Sequence, residues 1–438
     1  MSSTALSADA GPEELTEGLP LAVRAQGARI YDAHGRDFID GSSGPICVNI
    51  GHGSRAVLDA MREQAEHIAF AHRSQFVSRS VQRLTRQILD VSGPHYREVV
   101  YTNSGSEATE SALRLVLLHH ALNGEPERTV VLTQQPSYHG ITAGALSVSG
   151  HPPRRAHLGA LHADSLSTVP VTAADPAAEL LPGVAEWEAA FRRVGPERVA
   201  AVLLEPVSGA AGGAAEVPDA VLRRLRELTE DSGAFLAVDE VMTGFGRTGR
   251  WFGHQRAAVT PDLVVTGKGL SAGYTPIGAL LVGDRVLPGR VAADLALGHT
   301  MSGNPLSAAV AGAVLRVTRE QRLPERAERV GAELRDRLAH EVAGTAGFLG
   351  PPRGRGLLLG LPVRQSAASY ARAPLAHELC TAARGNRLVL YAAGVDHHSQ
   401  SLLVAPPLTV DDDELDALVR RLARTVAHVS ARYGGEAP

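Results

Sequence analysis

The sequence predicts an α/β protein with a mostly parallel sheet that helices cover on both faces. Between residues 99 and 282, six short runs of β-branched and aliphatic residues alternate with longer amphipathic segments. The runs stay apolar up to their carboxyl ends, which is typical of strands buried on both faces of a parallel sheet. These runs span residues 99–102, 129–133, 200–205, 235–240, 263–268 and 277–282.

Helices are predicted between these strands and after the last of them. In residues 217–234, four apolar side chains recur at helical spacing, and Gly233 can end the helix. The aspartates at 411–413 suit the positive end of the helix dipole that they precede. Further helices are predicted over residues 308–317, 325–340 and 411–429, with a strand candidate over 356–361.

The length of 438 residues exceeds that of one ordinary domain and predicts two or three lobes. After Pro305, the alternation of strands and helices gives way to long helices and mixed structure. We therefore expect residues 61–305 to form the large domain. We expect residues 306–438 to form a smaller α+β domain, to which residues 1–60 add an N-terminal arm and part of its structure.

Composition excludes several classes of protein. The 43 basic and 47 acidic side chains give a net charge of −4, which offers nucleic acid no basic surface. No apolar run is long enough to span a membrane, and no positively charged, apolar leader begins the chain. Two cysteines make no disulfide framework, and the two adjacent histidine pairs lack metal-ligand spacing. We expect a cytoplasmic protein that binds no metal, nucleic acid or membrane.

One residue count singles out a chemical group. Of the 43 basic side chains, 42 are arginine and one, Lys268, is lysine. Arginine stays protonated in proteins, whereas a desolvated lysine can lose its proton and act as a nucleophile. The survival of Lys268 in such an arginine-rich chain predicts a chemical role, and the alternative is survival by chance.

Polar residues cluster where the predicted strands end. Open α/β sheets bind their ligands beyond the carboxyl ends of their strands. Five strands lead into residues 103–107, 137–140, 205, 239–240 and 268. The sequence therefore predicts one site at this edge of the sheet.

Two of these strand ends have chemistry of their own. The segment SGSEATESALRL begins a helix at Ser104, where free backbone N–H groups can bind a phosphate, although an ordinary capped helix would look the same. Asp239 follows an apolar strand, so its buried carboxylate needs a partner that holds its charge. A protonated ring nitrogen would serve, and so would an arginine.

The segment GFGRTG at Gly244–Gly249 matches a dinucleotide-binding fingerprint in its letters alone. Such a fingerprint lies between a strand and a helix, with an acidic residue about twenty positions further on. Neither condition is met, so we expect a flexible loop, and a nicotinamide dehydrogenase is disfavoured.

Eight segments of the chain resemble the class III (ω-type) aminotransferases, which belong to fold type I of the pyridoxal-phosphate enzymes. The resemblance extends from about residue 20 to 430. It implies a seven-stranded, mostly parallel sheet, pyridoxal 5′-phosphate as cofactor, and amine or amino acid donors with keto acid or aldehyde acceptors. It also implies a homodimer, or a dimer of dimers, with the site at the subunit interface. The segments are IDGSSGPICVNIGHG, TNSGSEATESALRL, SYHGITAGALSVSG, VLLEPVSGAAGG, AVDEVMTGFGRTGR, PDLVVTGKGLSAGYTPIGALLV, HTMSGNPLSAAVA and LLVAPPLTVDDDELD.

The resemblance also implies roles for individual residues. Lys268 would hold the cofactor as a Schiff base, Asp239 would pair with its pyridine nitrogen, and Tyr138 would pack on its ring. These three are the expected catalytic residues. The other expected cofactor contacts are Ser104, Gly105, Ser106, His139, Glu205, Val241 and Thr300, of which Thr300 comes from the neighbouring subunit. Decarboxylation, racemisation or epimerisation, and aminomutase chemistry use the same lysine and acid, and they stay open as alternatives to transamination.

The chain departs from the family where many members bind a substrate carboxylate. Its segment SQSLLVAPPL lacks the usual arginine, and a glutamate of some relatives is Ala210 here. We therefore expect no fixed α-carboxylate site of that type, an expectation that a carboxylate bound by another arginine, such as Arg247 or Arg387, would overturn. Small residues at 42–45, where many relatives carry tyrosine or tryptophan, predict room for a larger substrate.

Overall fold

The structure, a computed structural model, describes residues 18–156, 167–286 and 297–433. These residues form a seven-stranded sheet, two four-stranded sheets and a two-stranded ribbon. The strands are β1 (Ala22–Gln26), β2 (Arg29–Asp32), β3 (Asp37–Asp40), β4 (Tyr96–Thr102), β5 (Val130–Gln134), β6 (Ser167–Val171), β7 (Val199–Leu204), β8 (Val207–Ser208), β9 (Ala215–Glu216), β10 (Phe235–Asp239), β11 (Leu263–Thr266), β12 (Gly278–Gly283), β13 (Arg353–Arg355), β14 (Leu358–Pro362), β15 (Leu388–Val389), β16 (Tyr391–Ala393) and β17 (Ser401–Val404).

Helices account for most of the remaining described residues. The predicted helix after β9 ends at Gly233, whose φ of +79° lies in the left-handed region that favours glycine. In the described part of the chain, no helix is long and apolar enough to cross a membrane. The α-helices are Arg55–His67, Arg79–Ser92, Gly105–Leu122, Ala143–Ser147, Pro152–Arg155, Val184–Val194, Asp219–Ser232, Pro305–Glu320, Leu323–Arg337, Ala367–Arg372, Leu375–Gly385 and Asp412–Arg432, besides the kinked segment Ser43–Ile46. Shorter helical turns are Pro196–Arg198, Gly253–Ala257, Lys268–Leu270, Leu338–Val342 and Ala343–Thr345.

The seven-stranded sheet has the strand order β4-β12-β11-β10-β7-β5-β6. Strands β6, β5, β7, β10 and β11 are parallel neighbours, and β12 runs antiparallel to β11 and β4. The predicted mostly parallel sheet is confirmed, and it contains all six predicted strands. The remaining strand, β6, has no apolar run to reveal it, because it is a partly exposed edge strand that includes Pro170.

Both faces of this sheet are buried. In β10, Phe235 and Ala237 belong to one hydrophobic cluster, and Leu236 and Val238 belong to another. Successive side chains of a strand point to opposite faces, so the two clusters cover the two faces of the sheet. This double covering explains why the strand sequences are continuously apolar.

The glycine-rich segment Gly244–Gly249 forms a loop, but the loop is packed rather than loose. Arg247 has 0% of its surface exposed. Its Nη1 donates to the carbonyls of Leu357 and Pro406 at 3.0 and 2.6 Å. Its Nη2 donates to Ser43 Oγ at 3.2 Å and to Asn49 Oδ1 at 2.9 Å. Our expectation of a flexible loop did not anticipate that this arginine ties the loop to both ends of the chain.

The two ends of the chain pack together. Ile39 belongs to the same buried cluster as Leu334 and Leu418, and β3 pairs in parallel with β15. The buried carboxylate of Glu414 accepts the N–H of Ala28 at 3.0 Å. The domain boundaries at residues 60 and 305 stay a prediction.

Candidate active site

Neighbouring strand ends bring the predicted polar residues to one edge of the seven-stranded sheet. Glu205 follows β7, Asp239 ends β10, and Lys268 stands two residues after β11. Tyr138 and His139 lie in the segment that follows β5. Because these four strands are parallel neighbours, their carboxyl ends lie side by side, as the sequence predicts.

Asp239 is buried, with 4% of its surface exposed, and its side-chain partner is a histidine. Its Oδ2 lies 2.8 Å from Nδ1 of His139, and its Oδ1 accepts the N–H of Val241 at 2.9 Å. Within the described residues, no arginine or lysine forms an ion pair with this carboxylate. The alternative of a structural arginine pair for Asp239 therefore finds no support there, and the acid can still accept a cationic ligand.

Both backbone polar groups of His139 and one of its two ring nitrogens have partners. Its backbone N–H donates to Ser149 Oγ at 2.9 Å, and its carbonyl accepts the hydroxyl of Thr109 at 2.9 Å. Its ring Nε2 is buried and lacks a hydrogen-bond partner among the described residues. If Nδ1 donates to Asp239, Nε2 is an acceptor, and the ring fixes the direction of the carboxylate.

Glu205 is a second buried acid beside this pair. Its Oε2 accepts the N–H of Tyr138 at 3.1 Å and the hydroxyl of Ser208 at 3.2 Å, and its Oε1 accepts the N–H of Gly209 at 3.3 Å. Burial raises the pKa of Glu205 to about 7, and the charge of Asp239 adds to the rise. The carboxyl of Glu205 can therefore bind or release a proton near neutral pH.

Lys268 is partly buried and begins a short helical turn with a φ of +39°, which is uncommon for a residue with a side chain. Burial lowers the pKa of its ammonium group, whereas the charges of Asp239 and Glu205 oppose that effect. In the described part of the chain, its Nζ has no hydrogen bond or ion pair. A desolvated, unpaired amine with a lowered pKa is suited to nucleophilic and base chemistry.

The helix Gly105–Leu122 begins at this cluster with two free amides. Ser104 Oγ accepts the N–H of Glu107 at 3.2 Å, so this hydroxyl caps the helix. The N–H groups of Gly105 and Ser106 have no acceptor among the described residues. Unpaired amides at the positive end of a helix form a binding site for an anion such as phosphate.

Close contacts surround this helix start. A Cβ added to Gly105 would lie 2.7 Å from Cγ2 of Val241, and a Cβ added to Gly267 would lie 3.3 Å from the amide nitrogen of Gly105. On another side, a Cβ added to Gly140 would lie 2.6 Å from Oγ of Ser106. The structure therefore brings Gly105, Ser106 and Val241 together, and small residues keep the space between them open.

An arginine that the sequence does not single out, Arg154, stacks on the ring of Tyr138. The guanidinium carbon of Arg154 lies 4.4 Å from the ring centroid, and its Nη1 donates to the Tyr138 hydroxyl at 3.1 Å. Tyr138 and Tyr391 pack against the same hydrophobic cluster. No sequence signal marks Arg154, because it is one of 42 arginines and stands in a one-turn helix without an apolar period.

Thr300 is the predicted site residue that the structure does not bring into this cluster. It is exposed on the segment that precedes helix Pro305–Glu320. One link runs from its neighbour His299, whose Nε2 lies 3.7 Å from Oε2 of Glu107. Within one chain, Thr300 therefore contributes nothing to the surroundings of Lys268 in the described residues.

The two arginines considered for a substrate carboxylate have other partners. Arg247 is enclosed by four oxygen acceptors without access to solvent. Arg387 is exposed and forms an ion pair with Asp37 at 3.1 Å. Ala210 lies in the hydrophobic cluster against which Tyr138 and Tyr391 pack. Arg247 is therefore closed to a ligand, and Arg387 is already paired with an acid at the surface.

Comparisons with known proteins give one family. A family model described as aminotransferase class-III matches residues 13–426. The uncharacterized aminotransferase YodT of Bacillus subtilis is 33% identical over 440 residues, covering 95% of this chain and 97% of YodT. An acetylornithine aminotransferase of Xylella fastidiosa is 34% identical over 427 residues, covering 94% of each chain. A crystal structure of an amine transaminase from an uncultivated Pseudomonas species, in its PLP-bound form, has a TM-score of 0.85 at 27% identity and covers 97% of this chain and 98% of its own.

Proposed function

Because the chain belongs to the class III aminotransferases, which transfer amino groups with pyridoxal 5′-phosphate, we propose that Lys268 holds this cofactor and moves the substrate proton. The observation that carries the proposal is a partly buried, unpaired lysine at the same sheet edge as Asp239. Members of this family act on amine and keto acid substrates.

The described residues fit each part of the cofactor. The amides of Gly105 and Ser106, which lack acceptors there, would bind the phosphate, and Ser104 would support them through its helix cap. Asp239, a buried acid without an arginine or lysine partner in the described chain, would bind the protonated pyridine nitrogen. Val241 and Tyr138 would pack on the two faces of the ring.

When bound, pyridoxal phosphate supplies an electron sink and a carbon that accepts the amino group. Lys268 Nζ would take the proton from the substrate carbon that bears the amino group and deliver it to the other reacting carbon. The lowered pKa of Lys268 increases the unprotonated fraction of its amine at neutral pH, which both of its functions need. Arginine could replace neither function, since it does not release its proton.

The acids and the histidine would orient the site. His139, bonded to Asp239 at 2.8 Å, would keep that carboxylate directed at the ring nitrogen. Glu205 would lie beside the ring and fix the backbone of Tyr138, whose N–H it accepts at 3.1 Å.

We also propose that two copies of the chain share each site, with Thr300 of one copy binding the phosphate held by the other. Family members are typically oligomeric. Phe76 and Val77 are 68% and 76% exposed, and Met301, the neighbour of Thr300, is 48% exposed. Two cavities of about 570 and 420 Å³ adjoin Phe76 and Val77. Exposed apolar side chains beside such cavities support an interface with a second copy.

The cytoplasm is our proposed location for the enzyme. Its cysteines, Cys47 and Cys380, are unpaired thiols in the described chain, as in proteins of reducing compartments.

Absorbance spectroscopy tests the role of Lys268. We expect the cofactor-loaded protein to show a visible band that bleaches with an amino donor and returns with a keto acid. Lys268→Ala and Lys268→Arg should lose that cycle, whereas Arg387→Gln, which removes a surface ion pair, should keep it. An unchanged cycle in Lys268→Ala would contradict the proposal.

Mixing of inactive variants tests the shared site. In a heterodimer of Lys268→Ala with Thr300→Ala, one site has both wild-type residues and the other has neither. We expect the mixture, after subunit exchange, to regain activity well above the mean of the two parents. Activity equal to that mean would contradict a site built from two copies, and sedimentation would separately report whether a dimer forms.

A further inference from the structure

Arg154 differs from Arg247 and Arg387 because it lies at the site and, among the described residues, is neither enclosed by oxygen acceptors nor paired with an acid. Its identified partners are neutral phenols: Nη1 donates to the Tyr138 hydroxyl at 3.1 Å, and the guanidinium also hydrogen-bonds the side chain of Tyr391. No carboxylate of the described residues lies within ion-pair distance of it. A half-buried cation without a carboxylate is unusual, because a charge withdrawn from water needs a partner that compensates it.

The titratable groups beside Arg154 supply no negative charge at neutral pH. Burial lowers the pKa of His151 to about 4, so its imidazole is neutral, and the Arg154 charge adds to that lowering. Burial raises the pKa of Tyr391, so its phenol stays protonated. Position 210, where some relatives carry a glutamate, is alanine and lies in the cluster under Tyr391. These neutral neighbours therefore leave the charge of Arg154 uncompensated.

The guanidinium group is also preorganised. Stacking at 4.4 Å from the Tyr138 centroid and the bond to the Tyr138 hydroxyl fix its plane, and Arg154 keeps further N–H donors for a ligand. A planar fork of N–H donors matches the two oxygens of a carboxylate. Tyr138 in turn donates its backbone N–H to Oε2 of Glu205, so the arginine is tied to the proposed cofactor site. Its charge reaches Lys268, whose pKa it helps to lower.

We propose that Arg154 binds a carboxylate of the substrate, so that the enzyme prefers amino acids and keto acids to amines and aldehydes that lack a carboxylate. This inference rests on the proposed function, because a substrate site is placed beside the proposed cofactor site. It differs from our expectation that this chain has no fixed α-carboxylate site of the usual type, and the experiment below decides between the two. Arg154 takes the place of the arginine that is missing between Leu388 and Asp413.

A purely structural role for Arg154 gives a different result. If the guanidinium only supported the ring of Tyr138, its loss would misplace that ring for every substrate. Substrates with and without a carboxylate would then suffer alike. Pairs of acceptors with and without a carboxylate, each compared between variant and wild type, therefore separate the two roles.

The test uses cofactor-loaded wild type, Arg154→Gln, Arg154→Lys and the control Arg387→Gln. Each protein, first converted to its aminated form, reacts in a single turnover with pyruvate or acetaldehyde, and with succinic semialdehyde or butanal. The first pair varies a carboxylate next to the reacting carbonyl, and the second varies a distal one. We expect Arg154→Gln to lower kcat/KM for the carboxylate member of one pair by roughly 10- to 100-fold. Its partner without a carboxylate should change less than about threefold, and Arg154→Lys should lie between wild type and Arg154→Gln.

Calorimetric titration with propionate and succinate gives a readout that needs no turnover. We expect at least one of these carboxylates to bind wild type and Arg387→Gln, and to bind Arg154→Gln roughly tenfold or more weakly. Equal kinetic losses within each pair, or unchanged affinity for both carboxylates, would overturn the role of Arg154. If no acceptor reacts with wild type while the calorimetric difference persists, the proposed function fails and the carboxylate site stands.

Discussion

The loop around Arg247 and the site around Arg154 use the same side chain in opposite ways. Arg247 is sealed from solvent and donates to the oxygens of four residues, so nothing else can reach it. Arg154 is half-buried, and its identified partners are the neutral phenols of Tyr138 and Tyr391. Burial alone therefore does not identify a binding arginine. What distinguishes Arg154 is its position at the site with N–H donors that a ligand can reach.

The adjacent acids Asp239 and Glu240 show the same difference between a ligand-binding residue and a structural one. Glu240 accepts hydrogen bonds from the Thr243 hydroxyl and from the N–H groups of Gly253 and His254, and it contacts the His254 ring at 2.9 Å. Asp239 has one backbone N–H and one histidine ring for its two oxygens. We therefore interpret Glu240 as an anchor of the loop that follows and Asp239 as a ligand-binding acid.

Among the substitutions considered, replacement of Asp239 and Glu240 by their amides should give the largest difference in kcat between two variants. We expect Asp239→Asn to lower kcat by roughly 10³-fold at saturating cofactor, because the amide cannot hold the charge of the ring nitrogen. Glu240→Gln should lower stability and leave kcat of the folded fraction within about tenfold. Steady-state kinetics, corrected for the folded fraction by circular dichroism, measures kcat of both variants. Equal losses of kcat in Asp239→Asn and Glu240→Gln would contradict the different roles of the two acids.

Substitution of the two arginines by methionine tests the contrast in stability. Arg247→Met leaves several buried oxygens without a donor, and we expect it to lower the free energy of unfolding by about 4 kcal/mol. Arg154→Met should lower it by only about 1 kcal/mol, since the lost bonds join a half-buried side chain to neutral hydroxyls. Denaturant unfolding measures both changes. A larger loss for Arg154→Met would make Arg154 the structural residue of the two.

The pH dependence of stability tests the environment of Glu205. Its pKa of about 7, against an ordinary 4.5, means that the folded chain binds this proton more tightly than the unfolded chain. Its contribution to stability is present below about pH 4.5 and is lost as the pH rises through 7. We expect Glu205→Gln to remove a fall of about 3 kcal/mol over this range in cofactor-free protein. Identical pH slopes for the variant and wild type, measured by urea unfolding, would show that burial does not perturb Glu205.

The smallest expected change in stability comes from removing the N-caps of two helices. Ser104 caps the helix at the site, and Asp411 caps the C-terminal helix by accepting the N–H of Glu414 at 2.8 Å. We expect Ser104→Ala and Asp411→Ala each to cost about 1 kcal/mol of unfolding free energy. Only Ser104→Ala should also weaken cofactor binding, because only its helix start belongs to the site. Equal cofactor affinity in both variants, measured by fluorescence titration, would limit Ser104 to a structural role.

The sheet and the residues at its edge could be predicted from the sequence because their signals are local. Each strand of β7, β10 and β11 is an apolar run with a polar residue at or just after its end. Parallel strands place those ends together without any knowledge of long-range contacts. The edge strand β6 lacks such a run, so its pairing with β5 leaves no trace in the sequence.

Long-range partners could not be predicted in the same way. Nothing local pairs His139 with Asp239, which stands 100 positions away, or seats Arg154 on Tyr138. The abundance of arginine hides Arg154 and Arg247 alike, whereas the rarity of lysine exposes Lys268. The sequence therefore reveals the residue with the rarer chemistry and leaves the recognition of the substrate to the structure.

Lys268 as the attachment point of the cofactor is the claim on which the other roles depend. Borohydride reduction of the cofactor-loaded protein, followed by digestion and mass spectrometry of the peptides, tests it directly. Because the chain contains one lysine, a reduced lysine adduct identifies its position without ambiguity. We predict a single cofactor adduct on the peptide that contains Lys268. An unmodified Lys268 peptide from fully loaded enzyme, or an adduct on the N-terminal amine alone, would contradict the claim.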